Sequence, residues 1–179
     1  TTTNKHQMKI ILLVIFIIIT NVNSSLLSSS FNRAKNALRK RDFVKTLSHL
    51  TDCASSADYK RALALRSRVH VVLGNYDSAI LDSQRCGDVD SMHSIESKRR
   101  DFDRATVAIL TQNFPGAYEL STSLLKESPE SLQLLLLRAR AGLALGFYSS
   151  ARSDAMNALR ISRFEPEAIL ILSRSIFSD

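Results

Sequence analysis

The chain has 179 residues, 45% apolar and 23% charged, with 24 basic and 17 acidic side chains and a formal net charge of +7. Five glycines, three prolines and no tryptophan, against 25 leucines and 17 alanines, provide too little turn chemistry for a many-stranded sandwich or barrel and a surplus of helix formers. Collagen, disordered tails and small disulfide scaffolds are excluded, and the length suffices for one domain with a real core.

In chain order, residues 1–7 lie upstream of the first methionine and are read as an extension of the reading frame outside the fold. Met8 and Lys9 introduce an unbroken apolar run, Ile10–Ile19, which at about 1.5 Å per residue covers only half of a ~30 Å hydrocarbon core. A short basic segment, this run and the small residues behind it describe a secretory signal peptide over 8–24, with Val22 and Ser24 suiting the −3 and −1 subsites of cleavage. The alternatives are a buried core segment and an uncleaved signal-anchor. The expectation is a luminal protein of the secretory pathway that meets the membrane only through this segment. Removing Lys5 and Lys9 leaves 22 basic against 17 acidic residues, a net charge of +5. The densest basic cluster, Arg39-Lys40-Arg41, is too short to predict a nucleic-acid partner.

The rest of the chain, 25–179, repeats itself. Gly74-Asn-Tyr76-Asp-Ser-Ala79 recurs as Gly146-Phe-Tyr148-Ser-Ser-Ala151, with shorter copies at Asn113-Phe114-Pro-Gly-Ala117 and Asp42-Phe43-Val-Lys-Thr46. The aromatics are spaced by 33, 38 and 34 residues. A period of 34 with an aromatic three residues before a small residue resembles the tetratricopeptide (TPR) repeat. The frame gives units 27–59, 60–93, 98–131 and 132–165, and a partial unit 166–179 carrying Ile169, Leu172, Ser173 and Ile176. Small residues at the eighth position of helix A (Ala34, Ser67, Ala105, Ala139) and the twentieth of the unit (Thr46, Ala79, Ala117, Ala151) let the two helices cross closely. The predicted fold is all-α, a TPR α-solenoid of antiparallel helix pairs. Residues 94–100 contain no glycine or proline and predict one long helix fusing helix B of the second unit to helix A of the third.

With the leader, this array resembles the N-terminal TPR region of the endoplasmic-reticulum J-domain co-chaperones of the DnaJ homologue subfamily C member 3 type. Leu137-Arg138-Ala139, Ser149–Asp154 and Glu167-Ala168 carry the likeness from Gln112 onward. No J domain and no His-Pro-Asp triplet are present, so either the chain stops before one or this is another luminal TPR protein. The resemblance implies a co-chaperone that holds unfolded polypeptides and presents them to a luminal Hsp70-type chaperone through a J domain outside this chain. The alternative is a non-catalytic scaffold binding one folded partner.

No catalytic constellation, cofactor loop or metal cluster stands out, and an enzyme is not expected. His49 lies just ahead of the packing residue Leu50 and His70 occupies the eleventh position of its unit, a packing site, so both read as structural. Cys53 and Cys86 take the same small-residue position in neighbouring helices B, where helix packing of 8–10 Å exceeds the reach of a disulfide, and read as buried alanine substitutes. A binding role falls to the concave face of the helices A, with Phe31, Leu38, Arg68, Val71, Phe102, Leu136 and Arg140 as the client groove. Lys35 and Arg68 stand where carboxylate-clamp adaptors use asparagine, so that clamp is not expected. What remains is an apolar strip with arginines at intervals, suited to extended hydrophobic chain.

Overall fold

Each repeated phrase builds a turn between two helices. The residue two before the aromatic takes a left-handed conformation in every unit: Arg41 (φ 56°), Gly74 (78°), Gln112 (59°) and Gly146 (80°). Its backbone N–H bonds three residues back and the next N–H five back, as in Gly74 to Val71 and Asn75 to His70, or Gly146 to Leu143 and Phe147 to Gly142. These bonds close helix A, and the residue after the left-handed one starts helix B. Asp42 and Asn113 cap that start, their side chains accepting from the backbone N–H of Lys45 and Gly116, both at 3.1 Å. The glycine of the phrase is therefore a helix terminator, and two units do without it.

The computed structural model describes residues 29–53 and 59–176; the expected leader and the extension before it lie outside the described residues. Nine helices, and no strand, occur among the described residues. They are α1 (29–39), α2 (Phe43–Thr51), α3 (Tyr59–Leu73), α4 (Tyr76–Cys86), α5 (Val89–Leu110), α6 (Phe114–Glu127), α7 (Leu132–Ala144), α8 (Tyr148–Ile161) and α9 (Pro166–Ile176). From α2 onward each helix packs on the next, and α7 also packs on α5 and α9. This is a stack of helix hairpins, an α-solenoid of TPR-like form. The eight small positions named above are all buried, so the close crossings fall where the repeat frame puts them.

A second regularity runs through the frame. An arginine precedes the small residue of every helix A: Arg33, Arg66, Arg104 and Arg138. In two units an aspartate sixteen residues later meets it in a bidentate pair. Arg66 Nε and Nη2 lie 2.7 and 2.6 Å from the Asp82 carboxylate, and Arg138 repeats both distances on Asp154. Both carboxylates are only 3% exposed. These pairs brace helix A against helix B, and each raises the pKa of its arginine through the hydrogen bonds to aspartate.

Two expectations are corrected. Helix α5 is long, 22 residues, but is not fused to helix B of the unit before it. Gly87, with φ of 80°, ends α4, and the Asp88 side chain caps α5 by accepting from Ser91 N–H at 3.0 Å. The extra residues lengthen helix A alone. Of the two cysteines only Cys53 is buried; Cys86 is half-buried near the end of α4.

The stack also closes on itself. Helix α3 touches α7, the helix A two units on. A Cβ built on Gly74 would lie 2.0 Å from Cγ of Gln133, so the α3–α4 turn rests directly on the start of α7. Arg41, in the α1–α2 turn, forms an ion pair with Glu130 at 2.5 Å across 89 residues of sequence. Phe43 and Val69 share one core cluster with Leu132, Leu135 and Leu136. The first two hairpins thus lie against the fourth.

Candidate functional site

The seven residues expected to line a groove do not form one open strip. Phe31 (7% exposed) and Leu136 (2%) are core. The Phe31 ring packs with Ala34, Leu50, Cys53 and Ala62, with Lys35 Nζ and Arg61 Cζ each 5.3 Å from its centroid. Leu136 belongs to the main core, because α7 is covered by α3, α5, α6, α8 and α9 and buries eight of its thirteen residues. Phe102 is half-buried and joins three core clusters, its ring centroid 5.6 Å from that of Tyr76. Leu38 and Val71 are also half-buried against core. The expectation of an exposed apolar strip is corrected at Phe31 and Leu136: Leu136 is covered where the stack closes on α7, Phe31 by its own hairpin and the start of α3, and both are hydrophobic core.

The two arginines remain at the surface but stand apart. Arg140 is engaged by Glu167 in the first turn of α9. Arg68 stands between two cavities. One, of about 280 Å³, lies between α3, α4 and the first half of α5 and includes Val71, Asp88, Ser94 and Lys98. The other, of about 360 Å³, includes Leu38, Arg41, Val72 and Glu130. Leu38, Arg68 and Val71 are therefore brought near one another, whereas Arg140 lines a separate opening with Phe114, Tyr148 and Arg174.

Two turns converge at the closing seam. The α1–α2 turn supplies Lys40, Arg41 and Asp42, with Phe43, Val44 and Lys45 behind it, and the α8–α9 turn supplies Ser162, Arg163 and Phe164. Together with Leu73 and Ile161 they line a cavity of about 600 Å³. The Arg39–Arg41 cluster was visible in sequence, but its meeting with Arg160 and Arg163 depends on closure. Asp42 is held below its ordinary carboxylate value by hydrogen bonds from the Lys45 side chain and backbone, with Arg163 adding a smaller effect through space.

His70 sits beside the Arg66–Asp82 brace, with Nε2 4.0 Å from Asp82 and a buried Nδ1 that has no hydrogen-bond partner. Burial pushes its pKa down, Asp82 opposes that, and Arg66 adds to it. Among the described residues no group of three or more His, Cys, Asp or Glu side chains is placed to hold a metal ion. No described helix is long and apolar enough to cross a membrane.

No family model matches the chain, and no curated protein matches it. Among solved structures it is similar to a tetratricopeptide repeat protein from Parabacteroides merdae ATCC 43184, at 16% identity with a TM-score of 0.41. The match covers 85% of this chain and 59% of that one, so the chain spans less than two thirds of that protein's length. The TPR-like description of the fold rests on the chain's own repeat, position by position.

Proposed function

We infer that the protein is a non-catalytic interaction scaffold of the secretory pathway that binds a folded partner through its surface. The observation that carries this reading is the burial of Phe31 and Leu136 in the core. Holding unfolded clients by area burial needs contiguous exposed apolar surface, and the inner strip that would supply it is occupied by the chain itself. A closed stack instead offers a rigid surface with localised cavities, which suits recognition of one shape. The secretory location draws its support from the signal-like segment 8–24. The co-chaperone reading, with unfolded clients and a luminal Hsp70-type partner, keeps the resemblance of the repeats as its support.

Aggregation of two unrelated denatured proteins, followed by light scattering with equimolar protein, separates the two. The scaffold reading expects no protection of either. Protection of both would overturn it in favour of the co-chaperone. Phe31→Ser with Phe102→Ser is expected to lower thermal stability, since both rings pack against core.

A further inference from the structure

We propose that the seam between the α1–α2 and α8–α9 turns is a docking site for an acidic peptide segment bearing an apolar anchor residue. The proposal deepens the scaffold reading and rests on it. The site lies at the edge of the stack, built from turns rather than from the inner face of the helices A.

The charge balance comes first. The seam cavity and the smaller opening beside it, which share Arg41 and Ile161, carry five basic side chains (Lys40, Arg41, Lys45, Arg160, Arg163) and two carboxylates. Both carboxylates are engaged, Asp42 by Lys45 at 2.9 Å and Glu130 by Arg41 at 2.5 Å. Lys40, Arg160 and Arg163 are exposed and have no ion pair among the described residues. With Lys40 and Arg163 at the cavity and Arg160 at the opening beside it, the five cations and two carboxylates leave a net excess of three positive charges, which favours an anionic ligand and speeds its approach.

Shape and polarity then select the kind of anion. The cavity has an apolar floor of Phe43, Leu73 and Ile161, and its mouth is flanked by Val44 (80% exposed) and Phe164 (87% exposed). A small inorganic anion would gain nothing from that floor. A flat anionic lipid surface would meet Val44 and Phe164 but leave the cavity empty. A peptide fills both parts of the site: one apolar side chain enters the cavity, and neighbouring carboxylates reach Lys40 and Arg163. At about 600 Å³ the cavity has the size of an ordinary ligand pocket.

The test is fluorescence anisotropy with a labelled dodecapeptide of glutamates around one central phenylalanine. The full chain is expected to bind it, and raising salt to about 0.5 M, where the screening length is about 4 Å, should weaken binding severalfold. Replacing the peptide's phenylalanine by alanine, or its glutamates by lysines, should lose binding. Lys40→Glu with Arg163→Glu should weaken it about tenfold or more, since each exposed attraction becomes a repulsion. Phe164→Ser should weaken it while leaving helicity unchanged, because that ring is exposed. Arg100→Glu, an exposed residue of α5 that lines neither opening, should have no effect. Binding that survives the double reversal, or that depends on Arg100, overturns the proposal. So does failure to bind the peptide combined with Phe164-dependent sedimentation on phosphatidylserine vesicles, which would make the seam a lipid site. A chain that ignores the peptide, protects no denatured client and still retains one folded luminal protein removes this site and leaves the scaffold reading intact. A chain that ignores the peptide and protects denatured clients removes both.

Discussion

Gly74 and Gly146 occupy the same repeat position with nearly the same φ, 78° and 80°, but have different surroundings. Alanine at either site must hold a Cβ in the left-handed region, at a cost of about 1–2 kcal/mol. At Gly146 nothing lies within 4 Å of the new Cβ, so that is the whole expected cost. At Gly74 the Cβ meets Gln133 Cγ at 2.0 Å, Cβ at 2.8 Å and Cδ at 3.3 Å. Because the Gln133 Cβ is fixed by its helix, a rotamer change alone does not clear the contact, and α7 must move back. Overpacking of this kind adds about 1–3 kcal/mol. Gly74→Ala should therefore cost about 2–5 kcal/mol and Gly146→Ala about 1–2 kcal/mol. The measurement is equilibrium urea unfolding followed by circular dichroism. Gln133→Ala should restore part of the Gly74→Ala loss and none of the Gly146→Ala loss, a coupling that a double-mutant cycle isolates. Equal losses at the two glycines, with no rescue, would refute the closure of the second hairpin onto the fourth.

The remaining predictions use the same repeat frame. Gln112→Gly should stabilise by up to about 1 kcal/mol in urea unfolding, because Gln112 holds a left-handed turn with a side chain where two other units have glycine. Arg138→Ala should cost about 3–5 kcal/mol by leaving the buried Asp154 carboxylate unpaired, while Arg104→Ala, at the same repeat position but paired only at the surface with Asp101, should cost less than about 0.5 kcal/mol. Ala139→Leu or Ala151→Leu should cost about 1–3 kcal/mol by overpacking the fourth hairpin; the matching surface control is Ser149→Ala, since Arg152 donates to the Ser175 carbonyl at 2.8 Å. His70 has a folded-state pKa below its ordinary 6.5, so the unfolded chain binds the proton more readily. Stability should be full above pH 6.5 and fall as pH drops through the folded pKa; a pH series of thermal melts should show a His70→Gln variant with a flatter decline over that range.

The repeat was legible because its physics is local. A left-handed terminator, a cap, an aromatic and a small residue fall within a few positions of one another, so each hairpin writes its turn into contiguous sequence. Two features escaped for different reasons. The break between α4 and α5 is written at Gly87-Asp88, a helix-ending glycine followed by a capping aspartate, just ahead of the unbroken helical stretch 94–100. The Arg66–Asp82 and Arg138–Asp154 braces were also written in the sequence, as an arginine before each small residue and an aspartate sixteen later in two units. They look like ordinary surface charges until the two helices are paired.

Closure was not legible at all, and it decides the functional reading. Whether α3 meets α7 depends on how far successive hairpins rotate, and no local pattern records that angle. The residues between the second and third units go into the first turns of α5, and α3 reaches past that unit to α7. Once it does, Leu136 shares a core with Phe43 and Val69 instead of facing solvent, and that part of the expected groove is closed, while Phe31 is buried within its own hairpin and the start of α3. The same movement brings turns more than a hundred residues apart to one edge, gathering Lys40 and Arg163 around an apolar cavity and Arg160 at the opening beside it. Burial of Leu136 and assembly of the basic seam are thus two consequences of one packing event. A variant that opens the α3–α7 contact, such as Gly74→Ala, should weaken acidic-peptide binding at the seam while exposing apolar surface to a hydrophobic dye. Either change without the other would separate the seam from the closure.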